Sequence, residues 1–500
     1  MHLGLDLGTG SIKALVLGGD GRTLAAAAAP YPIASPRAGW AESHPEDWWR
    51  AAQTAVAGLG RAREQIRSIG LSGQMHTLVL CERATARVLR PAILWADTRS
   101  ARELEHYAHL PKALREPLGN PLVAGMTGPS LLWVRDHESD VYERAEIALQ
   151  PKDWLRLKLT DEVASDPSDA SATLLYSVTG PEGWHAKLID ALGLRPDLLP
   201  DPSPSQARVG LLSPRAADWL GLRPGLPVAC GAGDTASALL GSGLREGSGA
   251  QLTVGTGAQI VEVRAHANPA RTPRIHLFRT ALGAPWYAMA ALQNAGLALE
   301  RSRLMLGLTW DEAYALAFDG CSDPRGAVFL PYLSGERTPH LDAQVRGGWL
   351  GLSLEHTRAE LMRAAFEGVA FAIRDGLEAL LGTRGRAETL RLAGGGTTDP
   401  RWRALLATAL QCPLHAVSCS DASARGAALL GAIACDAIGA ADAVGALAPQ
   451  SRPVAEPQQT LVAALEARYR SFQTLYPRLR GWTSPVEPRE SGEMAQLETA

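Results

Sequence analysis

Apolar residues recur at every second position from the start of the chain, at Leu3, Leu5 and Leu7. This alternation predicts a strand that turns tightly through Gly8-Thr9-Gly10, returns as a second strand to Leu17, and closes in Gly18-Gly19-Asp20-Gly21. The plan recurs midway, from Leu252 to Val263, where apolar residues lead into Gly255-Thr256-Gly257 and out through Ile260 and Val261. A weak internal repeat of this kind is what a duplicated, two-lobed protein shows. After each copy, strand-like runs such as Ala92–Trp95 and Val228–Cys230 alternate with helical patterns, the longest being Arg358–Leu381. The expected fold class is therefore α/β in both halves.

Length supports two lobes, because single cores stop growing near ~250–300 residues and this chain has 500. Small residues and glycines crowd together over Thr235–Gly249, and the seam is expected there. Residues 1–240 and 241–483 form the two domains of this reading, and the polar, proline-bearing stretch Ser484–Ala500 is a mobile tail.

A formal net charge of −3 gives no basic footprint for nucleic acid or an anionic membrane, which turns attention to small-molecule partners. The six cysteines include no C-x-x-C pair, so neither zinc ligation nor a redox dithiol is indicated. The first strand leaves no room for a signal peptide, and no uncharged apolar run reaches the ~18 residues of a membrane span. A cytoplasmic location is the expectation.

Chemistry concentrates at the glycine turns. In Asp6-Leu7-Gly8-Thr9-Gly10-Ser11-Ile12-Lys13, backbone N–H groups can approach phosphate oxygens while Asp6, at a strand end, can hold hydrated magnesium. A lone turn of this type is usually an ordinary hairpin. The second turn, Gly255-Thr256-Gly257, changes that balance, since a nucleotide held between two lobes needs donors from both. A third run, Gly394-Gly395-Gly396-Thr397, follows the apolar Leu392-Ala393 and precedes the helical pattern Trp402–Leu410, so that a flat ring or a phosphate can approach the backbone there; a plain strand-to-helix turn accounts for it equally well.

Two further residues are placed to act on a substrate. Asp234, in Gly231-Ala232-Gly233-Asp234-Thr235, stands among small residues after an apolar strand, where its carboxylate can take a proton from a hydroxyl or cap a helix. His76, after Met75, can bond a sugar hydroxyl or carbonyl or be a satisfied structural histidine.

In order, these segments resemble the FGGY carbohydrate kinases, and among them the xylulokinases most, over nearly the whole chain. Ser72-Gly73-Gln74-Met75-His76 resembles the family's sugar-side loop, and Leu94-Trp95-Ala96-Asp97-Thr98-Arg99 and Pro151-Lys152-Asp153-Trp154-Leu155 resemble two further sugar-domain segments. The longest block is Leu330-Pro331-Tyr332-Leu333-Ser334-Gly335-Glu336-Arg337-Thr338-Pro339-His340. The resemblance implies two actin-like (ribonuclease H-like) domains with ATP and a sugar in the cleft between them. It implies Asp234 as general base and magnesium near Asp6 and Asp234. Sugar contacts would come from Met75, His76, Trp95, Asp97 and Arg99. Nucleotide contacts would come from Gly8, Thr9, Gly10, Ser11, Lys13, Gly255, Thr256, Gly257, Gly394, Gly395, Gly396 and Thr397.

The sequence departs from the family at Thr77, where glycine is common, at Ala96 and Thr98 beside Asp97, at Thr397-Thr398, and at Asp421, where glutamate is usual. D-xylulose is the expected acceptor, with D-ribulose, L-ribulose or another polyol as alternatives on the same fold. The reading from another class is a nucleotide-dependent sensor without catalysis. A chaperone-like ATPase would need an appended peptide-binding domain, for which no segment remains. The oligomeric state, a homodimer included, is left open.

Overall fold

A computed structural model describes residues 1–481 except 271, 272, 322 and 446; the expected tail at 484–500 lies outside the described residues. Strands β1 (His2–Leu7), β2 (Ser11–Leu17), β3 (Thr23–Pro30), β4 (Ser68–Gly73), β5 (Arg208–Leu211), β6 (Pro227–Ala229) and β7 (Ala232–Gly233) form one sheet in the order β5-β6-β4-β1-β2-β3, with β7 also paired to β4. Strands β8 (Ala250–Val254), β9 (Ala258–Arg264), β10 (His276–Arg279), β11 (Trp286–Leu292), β12 (Leu390–Ala393), β13 (Leu414–Val417) and β14 (Ser451–Ala455) form the other, in the order β10-β11-β9-β8-β12-β13-β14.

The repeat read from the glycine turns is a repeat of topology. β1 runs antiparallel to β2 and parallel to β4; β8 runs antiparallel to β9 and parallel to β12. The connections between the parallel strands carry helices, among them α1 (Pro45–Gly58) in the first half and α4 (Arg358–Leu381) in the second. α4 begins where its sequence pattern begins, with a capping box between Thr357 and Glu360.

Strand alternation decides which side chains reach the centre. Leu3, Leu5 and Leu7, with Ile12, Ala14, Val16, Ile69 and Leu71, pack in one apolar cluster with Trp48, Ala52 and Val56 of α1 and with Trp154 and Leu155 of α2 (Pro151–Thr160). The intervening positions, Gly4, Asp6, Lys13, Gly70 and Ser72, therefore face the other way. In the second sheet Ala250, Leu252 and Val254 pack into that lobe's core, while Gln251 and Thr253 line a cavity.

One helix from each half meets its counterpart where the halves join. α3 (Asp234–Ser242) and α6 (Ala422–Ala434) pack against one another, and α6, from the second half of the chain, lies across β1, β2 and β4 of the first sheet. α3 contributes Leu239 and Leu240 to a cluster with Val261, Val263 and Met289 of the second sheet. Close approach of backbones makes this possible: a Cβ on Gly4, Gly70, Gly241 or Gly426 would overlap the carbonyl oxygen of Ala424, Ala427, Ala422 or Ser237 respectively.

Candidate active site

Asp6 is the last but one residue of β1, on the face turned towards α6, and in the ladder it stands opposite Lys13 of β2. The hydroxyl of Ser72 donates to Asp6 Oδ1 at 2.9 Å. Burial pushes the Asp6 carboxyl above its usual range, against the opposing pull of Ser72 and Lys13. Asp234 opens α3 as its first helical residue, and Gly233 holds the N-cap position, so helix capping does not account for this aspartate. Its Oδ1 accepts from the backbone N–H of Thr235 at 2.6 Å and from the Thr235 hydroxyl at 3.2 Å. Burial first, and then the nearby Asp6 carboxylate, push Asp234 up to about 7.

Both carboxylates line a cavity of about 640 Å³ between the two sheets. Lys13 and Asp421 line it too, as an ion pair of 2.9 Å across the two halves of the chain. On the side of the second sheet its wall includes Gln251, Thr253, Gln259, Gly394, Gly395, Thr397 and Arg403. Gly394 has φ 84°, a conformation that glycine adopts without strain. Its bare backbone leaves the wall flat beside Val254, whose carbonyl a Cβ at Gly394 or Gly396 would meet at 2.8 Å. The helix that follows, α5 (Pro400–Leu410), is capped by its own Asp399, which accepts from the N–H groups of Arg401 and Trp402. That helix end is thus already supplied with a negative charge, and the glycine wall suits a ring better than a phosphate.

The turns Gly8–Gly10 and Gly255–Gly257 stand at the ends of β1 and β8, outside the lining of this cavity. Gly8 N–H donates to the Ser11 carbonyl at 3.1 Å and Gly255 N–H to the Gly257 carbonyl at 2.8 Å. Thr9 accepts at its hydroxyl from Trp95 Nε1 at 2.9 Å, which ties the first turn to the segment around Trp95. Ser11 is half-buried beside them.

Met75 lies beneath Gly233, where a Cβ would come within 2.8 Å of Met75 Cγ, and Tyr287 donates to its sulfur at 3.6 Å. His76 has φ 69°. Its Nδ1 lies 2.6 Å from the Ala172 carbonyl, which requires the proton on Nδ1 and leaves Nε2 as an acceptor. Burial holds His76 down to about 4, so the ring is neutral. Thr77, one of the departures from the family pattern, is fully buried with its hydroxyl turned to Gln74 Oε1 at 3.4 Å.

Asp97 and Arg99 are drawn into a different arrangement. Asp97 accepts from the Ala41 N–H at 2.6 Å and from the N–H, Nε and Nη2 of Arg99. Arg99 also pairs with Glu42 at 2.7 Å and stacks over Trp40 at 3.6 Å. The structure brings Asp6, Lys13, Asp234, Gly394, Gly395 and Thr397 around one space and places Asp97 and Arg99 in a buried scaffold beside it. Sequence reading passed over Thr235, Gln251, Thr253 and Arg403. For Arg403 a signal existed, since it lies one helical turn into the helix that follows the glycine run.

Among the described residues no group of three or more histidine, cysteine, aspartate or glutamate side chains could hold a metal ion. Two carboxylates close enough to raise the pKa of one do fit a cation that keeps most of its waters and takes its remaining ligands from phosphates, as magnesium does. No helix of the described residues is long and apolar enough to cross a membrane.

Residues 1–241 match the N-terminal domain of the FGGY family of carbohydrate kinases, and residues 250–435 match its C-terminal domain. The chain belongs to this family. It is 34% identical over 489 residues to the xylulose kinase of Escherichia coli, covering 96% of this chain and 99% of that one. Against the xylulose kinase of Klebsiella pneumoniae the identity is 35% over 410 residues, 81% of this chain and 84% of the relative. A solved structure of a xyloylose kinase from Brucella ovis superposes with a TM-score of 0.88 at 36% identity, covering 96% of this chain and 99% of that one. The protein is a xylulokinase-like sugar kinase with the actin-like two-domain fold.

Proposed function

We propose that this chain transfers the γ-phosphoryl group of ATP to the terminal hydroxyl of a ketopentose, D-xylulose giving D-xylulose 5-phosphate. In this reading residues 1–240 hold the sugar and residues 241–483 the nucleotide. The observation that carries it is the pair of a buried Asp6 and a half-buried Asp234 at the wall of a cavity between the two sheets, with Asp234 raised to a pKa suited to accepting a proton near neutral pH. The xylulose kinases among its relatives favour D-xylulose over the ribuloses or another polyol.

Asp234 orients the attacking hydroxyl and takes its proton as the bond to phosphorus forms. Phosphoryl transfer has a loose transition state, so alignment contributes more than deprotonation. Asp6 and Asp234 would hold a magnesium ion, which when bound would neutralise charge on the phosphate oxygens. Gly394–Gly396 with Thr397 border the adenosine, and the turns at Thr9 and Thr256, which stand outside the lining of the cavity, reach the phosphates only when the lobes close on them. His76 accepts a sugar hydroxyl at Nε2. Exclusion of water from the closed cleft keeps ATP from being hydrolysed.

ADP release measured with a panel of ketopentoses, hexuloses, pentitols and glycerol tests the reading: D-xylulose is expected to give the highest kcat/KM. Asp234→Asn is expected to lower kcat by at least ~10²-fold with sugar binding little changed. Turnover unaffected by any sugar would leave the nucleotide-dependent sensor as the better account.

A further inference from the structure

The segment Ser334–Thr338 is clamped to the end of β11. Thr338 N–H donates to the Ala291 carbonyl at 2.9 Å, its hydroxyl donates to the Arg274 carbonyl at 2.9 Å, and Asn294 donates to the Gly335 carbonyl at 2.6 Å. The Glu336 carboxylate is spent on the same clamp, accepting from the N–H groups of Gln293 at 2.7 Å and of Arg337 at 2.8 Å. Its charge still acts on the neighbouring guanidinium, but it accepts no hydrogen bond from it. Among the described residues the Arg337 guanidinium makes no hydrogen bond and no ion pair. It lies instead with its central carbon 5.0 Å from the ring of Trp95, the residue whose indole N–H is bonded to Thr9.

Its charge is felt by His76 and His276, and all three groups have pKa values pushed down chiefly by burial. The Arg337 side chain is half-buried, and contact with one indole face leaves the five donors of its guanidinium unused by the protein. A charged group held half-buried between an indole and two neutral histidines, with its donors unused, is placed to meet a ligand. The ligand must offer oxygen acceptors to the guanidinium and lie beside the acceptor Nε2 of a neutral histidine. A polyhydroxy carbonyl compound offers both donors and acceptors.

We propose that Arg337, carried by the second half of the chain, binds the acceptor sugar, donating to the carbonyl and adjacent hydroxyl oxygens at the end remote from the hydroxyl that is phosphorylated. This rests on the kinase reading above and deepens it. Arg337 gives the site polarity: an anionic end at Asp6 and Asp234 for the hydroxyl that loses its proton, and a cationic end for the carbonyl. It also makes occupation of the sugar site depend on both halves, since Trp95, Met75 and His76 come from the first.

The test uses the purified full chain and the sugar that gives the highest wild-type kcat/KM. Arg337→Met is expected to raise the sugar KM about 10- to 100-fold, the range for losing a hydrogen bond to a charged group. The ATP KM should stay within twofold and the Tm within ~2 °C. Arg337→Lys, which keeps the charge but not the fork, should recover part of the loss and carries the same readout if the methionine variant does not fold. A sugar KM within twofold of wild type, or an equal rise in both KM values with a fallen Tm, overturns the assignment while leaving the kinase reading standing. A sugar acid phosphorylated in preference to every ketose, with the same sensitivity to Arg337→Met, supports the assignment and overturns the ketopentose reading.

Discussion

At the scale of single residues, the two carboxylates set the pH behaviour. Asp234 is protonated more readily in the folded chain, at about 7, than in an unfolded one, where aspartate titrates near ~3.9. Between these values the folded state binds more protons, so the stability that the protonated side chain contributes is complete below ~4 and lost as pH rises through about 7. Asp234→Asn removes that loss. Denaturation of both proteins at pH 5 and pH 8 is expected to show the variant gaining relative to wild type at the higher pH. For activity the sign reverses, because the base must be free of its proton. kcat/KM is expected to fall on the acid side with an apparent pKa near 7 that belongs to the Asp6–Asp234 pair jointly, and Asp234→Asn should abolish that limb.

Elements were legible in the sequence where a single period ran without interruption. β1, β2, β8 and β9 follow from alternation and glycine punctuation, and α4 starts and stops where its pattern does. The expected strand at Ala92–Trp95 shrinks to a pair at Ala92–Ile93, because an apolar run records burial more surely than pairing. The small residues after Asp234, read as a seam, build a helix. Their smallness serves its contact with α6, which only the partner helix reveals.

For the site, Asp6, Lys13 and Asp234 were visible from position in a motif, whereas Gln251, Thr253 and Arg403 depend on which way a strand or helix face is turned. Arg337 stands inside the long run Leu330–His340, where framework and ligand contacts look alike. The α3–α6 contact makes its own prediction. Gly426→Val places methyl groups against the Ser237 carbonyl, and the expected loss is about 1–3 kcal/mol in urea denaturation, together with lowered kcat as Asp234 is displaced.

Across the whole molecule, the Lys13–Asp421 pair spans the cavity at which the halves meet. Both side chains are partly exposed, at 42% and 32%, so the pair adds at most ~1 kcal/mol and weakens with salt. Its weight lies elsewhere, because a lysine engaged with aspartate must let go before it can meet a phosphate. Asp421→Asn is expected to change stability by less than ~1 kcal/mol and to lower the ATP KM two- to fivefold at low ionic strength, as measured by initial rates at saturating sugar. An unchanged or raised ATP KM would mean that Lys13 takes no part in nucleotide binding.

The crossing of α3 and α6 ties the two halves more firmly than a hinge would. The first sheet is roofed by a helix that the second half of the chain supplies, and α3 of the first half packs on that helix, so the first half cut out alone would lose the cover of β1, β2 and β4. Duplication can double such a chain, but a first half that depends on the second for its cover travels with it, and novelty comes more readily through loops at the rim than through exchange of whole lobes.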